Sequence, residues 1–167
     1  YSVPTVHVLV PNPDSQLASN RTFRRSLTYG IDRQWILNRR LLRGAELPGC
    51  EVANGPFPTG YAQDTQIEPR VYSPRLAMAL SRVAVFELEA QRQAEAEARA
   101  EAGEADGADE EAAGEAAEEI TLAIRIAHPP VEVARVACEA IQTQLEVLGI
   151  TVELTEVEGG EDTDADF

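Results

Sequence analysis

The residues of this sequence that could carry out chemistry are few and far apart. The histidines are His7, within an apolar run, and His128, before two prolines. No nucleophile motif such as G-x-S-x-G occurs, and neither does a G-x-G-x-x-G or P-loop pattern. We therefore predict that the chain is not an enzyme, that it needs no cofactor, and that both histidines are structural or surface residues.

Two further patterns could bind a metal or form a cross-link. Asp162, Asp164 and Asp166 alternate, but the glycine and glutamate that a calcium-binding EF-hand needs do not follow them. No cluster of histidine and cysteine indicates zinc, so no metal site is expected. Cys138 falls on the apolar face of a predicted helix and should be a buried thiol. A Cys50–Cys138 disulfide remains an alternative in an oxidising compartment.

The negative charge of the chain is concentrated in two segments. The net charge is −15, from 29 acidic residues and 14 basic residues, and all of the basic residues are arginine. Residues 86–119 contain 13 acidic residues and two arginines, and residues 153–167 contain seven acidic residues and no arginine. This balance argues against nucleic-acid binding. The first helical region is basic, which is typical either of a solvated helix face or of a site for an acidic partner (Arg24, Arg25, Arg39, Arg40 and Arg43).

The first half of the chain is predicted to contain one strand and three helices. Residues 6–10 form a β-branched apolar run that predicts a strand, ended by prolines. Asn20 should cap a helix with an apolar face of Phe23, Leu27 and Ile31. Asp32 should cap a second helix that ends at Gly44. After a long loop over residues 45–73, Ser73 as N-cap and Pro74 as first helical residue should begin a third helix.

The second half is predicted to contain an insertion and a crossover unit. Residues 86–119 are an Ala/Glu-rich insertion whose first half could continue the preceding helix. A strand over residues 120–126, a helix over 131–148 ended by Gly149, and a strand over 151–157 form a parallel βαβ unit. Residues 1–85 and 120–157 should therefore form one α/β domain, followed by an acidic tail over 158–167 that we expect to fray.

Four segments resemble one known family in the same order along the chain. Residues 20–33 (NRTFRRSLTYGIDR) are similar to the pattern V-R-x-A-L-x-x-A-I-D-R of the family 5 extracellular solute-binding proteins. The other three are similar to G-P-x-P-x-G, to Y-D-P-x-x-A-x-x-L-L and to A-x-x-I-Q-x-Q-L-x-x-x-G-I-x-V (residues 55–60, 72–80 and 140–152). Residues 86–119 depart from the family, in which a short loop stands at this place.

The resemblance implies a fold and a role. The fold would be a three-layer-like fragment of a periplasmic-binding-protein type II lobe, with a mixed sheet and the C-terminal βαβ unit. The role would be that of the substrate-binding component of an ABC importer for peptides or similar small solutes. Its partners would be permease subunits, and it would be a monomer in the periplasm or outside the cytoplasm. A membrane anchor and an export signal would be features of the full-length protein.

The matched residues are expected to maintain the fold rather than to contact a ligand, with Arg24, Asp32 and Arg33 as helix caps and salt-bridge formers. They are Arg24, Asp32, Arg33, Gly44, Pro74 and Gly149, and the resemblance identifies no ligand-binding residue. Two other functions stay open. One is the solute-sensing domain of a transcriptional regulator, which a DNA-binding segment elsewhere in the gene would favour. The other is a small α/β enzyme or an unrelated α/β interaction module with an accidental similarity, which would have a closed pocket lined by titratable residues.

Overall fold

The structure, a computed structural model, describes residues 7–53, 70–101, 120–158 and 164–167. Over these ranges the chain forms five α-helices, one π-helix and two strands. In chain order they are α1 (Gln16–Ser19), α2 (Arg21–Gly30), α3 (Arg33–Trp35), the π-helix (Ile36–Leu41), α4 (Pro74–Glu101), β1 (Ala123–His128), α5 (Glu132–Val147) and β2 (Thr151–Glu156). The α/β class predicted from the sequence is confirmed.

The predicted caps of the first helices are present. The Asn20 side chain accepts a hydrogen bond from the backbone N–H of Phe23 at 2.8 Å, which satisfies a donor at the start of α2. The Asp32 carboxylate does the same for Trp35 at 2.9 Å and begins α3. The second predicted helix differs from expectation, because after Trp35 the hydrogen bonds lengthen to the π pattern. Gly44 follows with φ +85°, the left-handed conformation expected where a helix ends.

Helix α4 begins at Pro74, as predicted, and runs antiparallel to α2. The Ser73 N–H donates to the Tyr29 carbonyl near the start of α4, and fourteen residues later Glu87 reaches the opposite end of α2. The buried side chains of α4 recur every three or four residues and are mostly small (Ala77, Ser81, Ala84 and Leu88). Helices α2 and α4 therefore pack closely. Helix α4 continues without a break through residue 86, where the predicted insertion over residues 86–119 begins, and Leu88 is buried. The first residues of the predicted insertion therefore belong to the packed part of α4.

The βαβ unit predicted for the second half is confirmed. Strands β1 and β2 are parallel, with Ala123 opposite Thr151 and His128 opposite Glu156. Helix α5 connects them and ends at Gly149, which has φ +81°. The apolar faces of α2, α5 and both strands form one core, whose most buried large side chains are Phe23, Ile126, Leu145 and Ile150.

The strand predicted for residues 6–10 is wrong for residues 7–10, and residue 6 lies outside the described residues. No backbone hydrogen bond joins residues 7–10 to another described segment, and Val8 and Val10 are exposed. The reason is that residues 166 and 167 occupy the place beside β1. Phe167 accepts a backbone hydrogen bond from Ala127 at 2.8 Å, and Asp166 donates one to Arg125 at 2.8 Å.

The expectation of a frayed tail is therefore wrong for residues 164–167, whereas residues 159–163 lie outside the described residues. Ala165 is buried, and Phe167 packs against the core. The sequence alone predicted only the charge of this segment. It contained no local signal for the backbone pairing with β1, because the partner lies about forty residues away.

Candidate functional site

Of the signature residues, Asp32 and Arg33 lie at the junction between α2 and α3. The backbone N–H of Asp32 donates a hydrogen bond of 2.7 Å to the side-chain oxygen of Gln144 on α5. This contact joins two segments that are 112 residues apart in the sequence. Because the Asp32 carboxylate also caps α3, one residue fixes the start of α3 and its position on α5. The Asp32 carboxylate is thus occupied by the helix that it caps.

Arg33 holds the two ends of the long loop. Its guanidinium donates to the Ala53 carbonyl at 3.0 Å and to the Arg70 carbonyl at 3.5 Å. Ala53 and Arg70 are the described residues on either side of residues 54–69, which contain the predicted G-P-x-P-x-G match and lie outside the described residues. A planar guanidinium can donate to two carbonyls at once, which a lysine ammonium does less well. Arg33 therefore fixes where this loop leaves and rejoins the domain.

Replacing Arg33 with alanine should release both loop ends. We expect a loss of about 1–2 kcal/mol in the free energy of unfolding, because two carbonyls lose a charged donor. If the lost free energy concerns only local opening around Arg70, the opened state becomes more populated. Tryptic cleavage after Arg70 should then become about 5–30-fold faster. Urea unfolding and limited trypsinolysis measure the two effects.

The matched control for this change is Arg39→Ala, at an exposed position on the π-helix. It should alter neither the unfolding free energy nor cleavage after Arg70 beyond experimental error. Equal behaviour of the two variants would contradict the role assigned to Arg33.

Arg24 also acts through carbonyl oxygens. Its guanidinium donates to the Ala18 carbonyl at 2.7 Å and to the Ser19 carbonyl at 2.6 Å, which are free acceptors at the end of α1. The expected interaction of Arg24 and Arg33 with acidic side chains is not what the structure has. In the described part of the chain both guanidinium groups bind main-chain oxygens, so they position helices and a loop.

Among the described residues, the histidines and cysteines do not form a reactive group. His7 is exposed, and His128 is buried at the end of β1, where its Nδ1 lies 3.0 Å from the Pro129 carbonyl. Cys50 is exposed and Cys138 is buried, and both thiols are free, so the structure does not form the disulfide that the sequence allowed. Burial raises the pKa of the Cys138 thiol above its ordinary value, which disfavours the reactive thiolate.

The acidic tail provides a contact that sequence reasoning missed. The Asp166 carboxylate accepts hydrogen bonds from the Ser15 hydroxyl and, at 2.6 Å, from the backbone N–H of Arg125. The Asp166 carbonyl accepts from the Asn12 backbone N–H at 2.8 Å. Asp166 thus joins the start of the described chain to β1. Its role is structural, although alternating aspartates had first drawn attention as a calcium pattern.

Among the described residues, no group of three or more metal-ligating side chains comes together. Within the same residues, no helix is both long and apolar enough to cross a bilayer. The site is therefore a set of structural hydrogen bonds that holds three helices, a loop and the chain end around one sheet.

The fold is similar to a fragment of a periplasmic-binding-protein type lobe. A solved structure, NikZ from Campylobacter jejuni in complex with Ni(L-His), is similar with a TM-score of 0.63 and 19% sequence identity. The similarity covers 95% of this chain and 27% of the NikZ chain, so this chain spans about a quarter of that protein. No curated protein matches the sequence.

The family follows from a second comparison. The model of the bacterial extracellular solute-binding proteins, family 5, middle region, matches residues 1–167. This chain belongs to that family. The resemblance noted in four sequence segments is thereby confirmed, and the fold predicted from it agrees with the structure.

Proposed function

We propose that this chain is part of the substrate-binding component of an ABC importer for peptides or similar small solutes. The observation that carries the proposal is the Asp32–Gln144 hydrogen bond, which joins the first and last of the four family segments. A third segment joins them through the Ser73 N–H and the Tyr29 carbonyl, at 2.8 Å. The residues that resemble the family therefore contact one another, as they should if they maintain a common fold.

The proposed role is binding without catalysis. The polar signature side chains are engaged with helix ends and main-chain carbonyls, which supports a scaffold function. The solute would be enclosed by this lobe together with a second lobe, and closure would be a hinge movement stabilised by contacts in the closed state. The complete protein would be a monomer outside the cytoplasm, with an export signal and in some cases a membrane anchor, and would deliver the solute to permease subunits.

Calorimetry tests the proposal on two samples: the 167-residue chain and the product of the complete reading frame that contains it. The titrants are a mixture of short peptides and, separately, Ni(L-His). We expect the complete protein to bind one of them with a Kd in the micromolar range, about −8 kcal/mol. The 167-residue chain should bind at least about 100-fold more weakly, because it would supply only one wall of the cleft.

Two results would contradict the proposal. Equal affinity of the two samples would identify this chain as a self-sufficient binding module. A complete protein that binds neither titrant but binds DNA would favour the alternative of a regulator with a solute-sensing domain.

A further inference from the structure

Four arginines form the walls of an open groove on the solvent side of α2. The groove has a volume of about 520 Å³ and is lined by Arg21, Arg24, Arg25, Thr28 and Arg70. The α2 members are spaced by three, one and three residues, which places them on one face of a helix. The opposite face of α2 carries the buried Phe23 and Leu27.

Among the described residues, two of the four guanidinium groups have hydrogen-bond or ring contacts within the chain, and the other two have none. Arg24 is held by the carbonyls at the end of α1, and the Arg70 guanidinium lies 5.9 Å from the centre of the Tyr29 ring. Arg21 and Arg25 are exposed, and neither guanidinium group makes a hydrogen bond or ion pair with another described residue. The groove therefore combines fixed positive charge with two guanidinium groups that have unused donors.

The arginines near the start of α2 lie where a positive charge lowers the stability of a helix. The start of a helix carries a partial positive charge, so acidic side chains are stabilising there and basic ones are not. The first turn of α2 contains no acidic residue, and Arg21 is its first residue. Glu87 supplies some negative charge from α4 through Asn20 and Thr22. Arg24 offsets this cost through its hydrogen bonds to the α1 carbonyls, whereas the guanidinium groups of Arg21 and Arg25 have no such contact with described residues, which favours a role in binding.

We propose that this arginine groove binds a small anion with several phosphate or carboxylate groups. Arg21 and Arg25 are one helical turn apart, so their side chains start about 6 Å from each other. Each guanidinium can donate two parallel hydrogen bonds to one oxyanion group. A ligand with neighbouring oxyanion groups would therefore bridge the two free arginines, while Arg24 and Arg70 add fixed charge beneath it.

The test is calorimetric titration of the chain with tripolyphosphate and, separately, with citrate, at about 20 mM salt, where charge interactions are weakly screened. We expect saturable binding of at least one probe, and the stronger probe assigns the ligand class. Arg25→Gln should weaken that binding by about tenfold or more, and raising the salt should also weaken it. The matched control is Arg39→Gln, which removes an exposed arginine outside the groove.

The proposal is wrong if neither probe binds saturably at concentrations up to about 10 mM, which is far above the Kd values of ordinary specific complexes. It is also wrong if Arg25→Gln and Arg39→Gln weaken binding equally, since binding would then follow net charge alone. Circular dichroism of both variants confirms that helix content is unchanged. A failure of this test leaves the importer assignment intact, because the importer assignment does not use the groove.

Discussion

Replacing Phe23 with alanine is expected to lower the free energy of unfolding by about 3–5 kcal/mol. The Phe23 ring is fully buried, at 0% exposure, within the core shared by α2, α5 and the sheet. Alanine would remove its transfer free energy and leave a cavity that the packed neighbours fill only in part. Urea unfolding followed by circular dichroism measures the loss as a change in midpoint at constant slope.

The control is Phe86→Ala on α4, where the ring is 71% exposed. It should change the unfolding free energy by less than about 0.5 kcal/mol. If Phe23→Ala does not fold, Phe23→Leu retains most of the buried volume and should cost about 1–2 kcal/mol. Equal effects at positions 23 and 86 would contradict the described packing.

Replacing Asp166 with alanine is expected to destabilise the chain by about 1.5–3 kcal/mol. The carboxylate accepts hydrogen bonds from the Ser15 hydroxyl and from the Arg125 backbone N–H. Its removal leaves a donor on the edge of β1 without this partner. The measurement is again urea unfolding, combined with hydrogen exchange at the Arg125 amide, which should become faster.

The control for this second prediction is Asp14→Ala, an exposed aspartate close to the same segment. It should change the unfolding free energy by less than about 0.5 kcal/mol. Asp166→Asn keeps one acceptor oxygen and should fall between the wild type and Asp166→Ala. An Asp166→Ala variant as stable as the wild type would contradict the structural role of this carboxylate.

Local sequence patterns predicted much of the fold, because the forces that fix those elements act over a few residues. Asn20 and Asp32 are caps in the structure, Pro74 begins α4, and Gly44 and Gly149 have the positive φ of helix ends. Each depends on a hydrogen bond or a backbone preference within about four residues. The parallel pairing of β1 and β2 followed from the strand–helix–strand order, since a crossover helix returns the chain in the same direction.

The errors arose where distant segments compete for the same place. Residues 6–10 have the composition of a strand, but a strand needs a neighbour, and residues 165–167 occupy the edge of β1. A π-helix stands over Ile36–Leu41 where an ordinary helix was expected, and no residue type in that segment indicates the difference. The candidate site shows the same limit. The sequence pattern identified Arg24 and Arg33 as signature residues, but it could not identify the carbonyl groups that they bind, because those depend on tertiary positions.

The hydrogen bonds around Asp166 place residue 12 next to residue 166. Segments whose two ends lie together can be inserted into a surface loop of another protein without distorting the host. Residues 12–166 could therefore be transplanted between two neighbouring positions of an unrelated scaffold with short linkers.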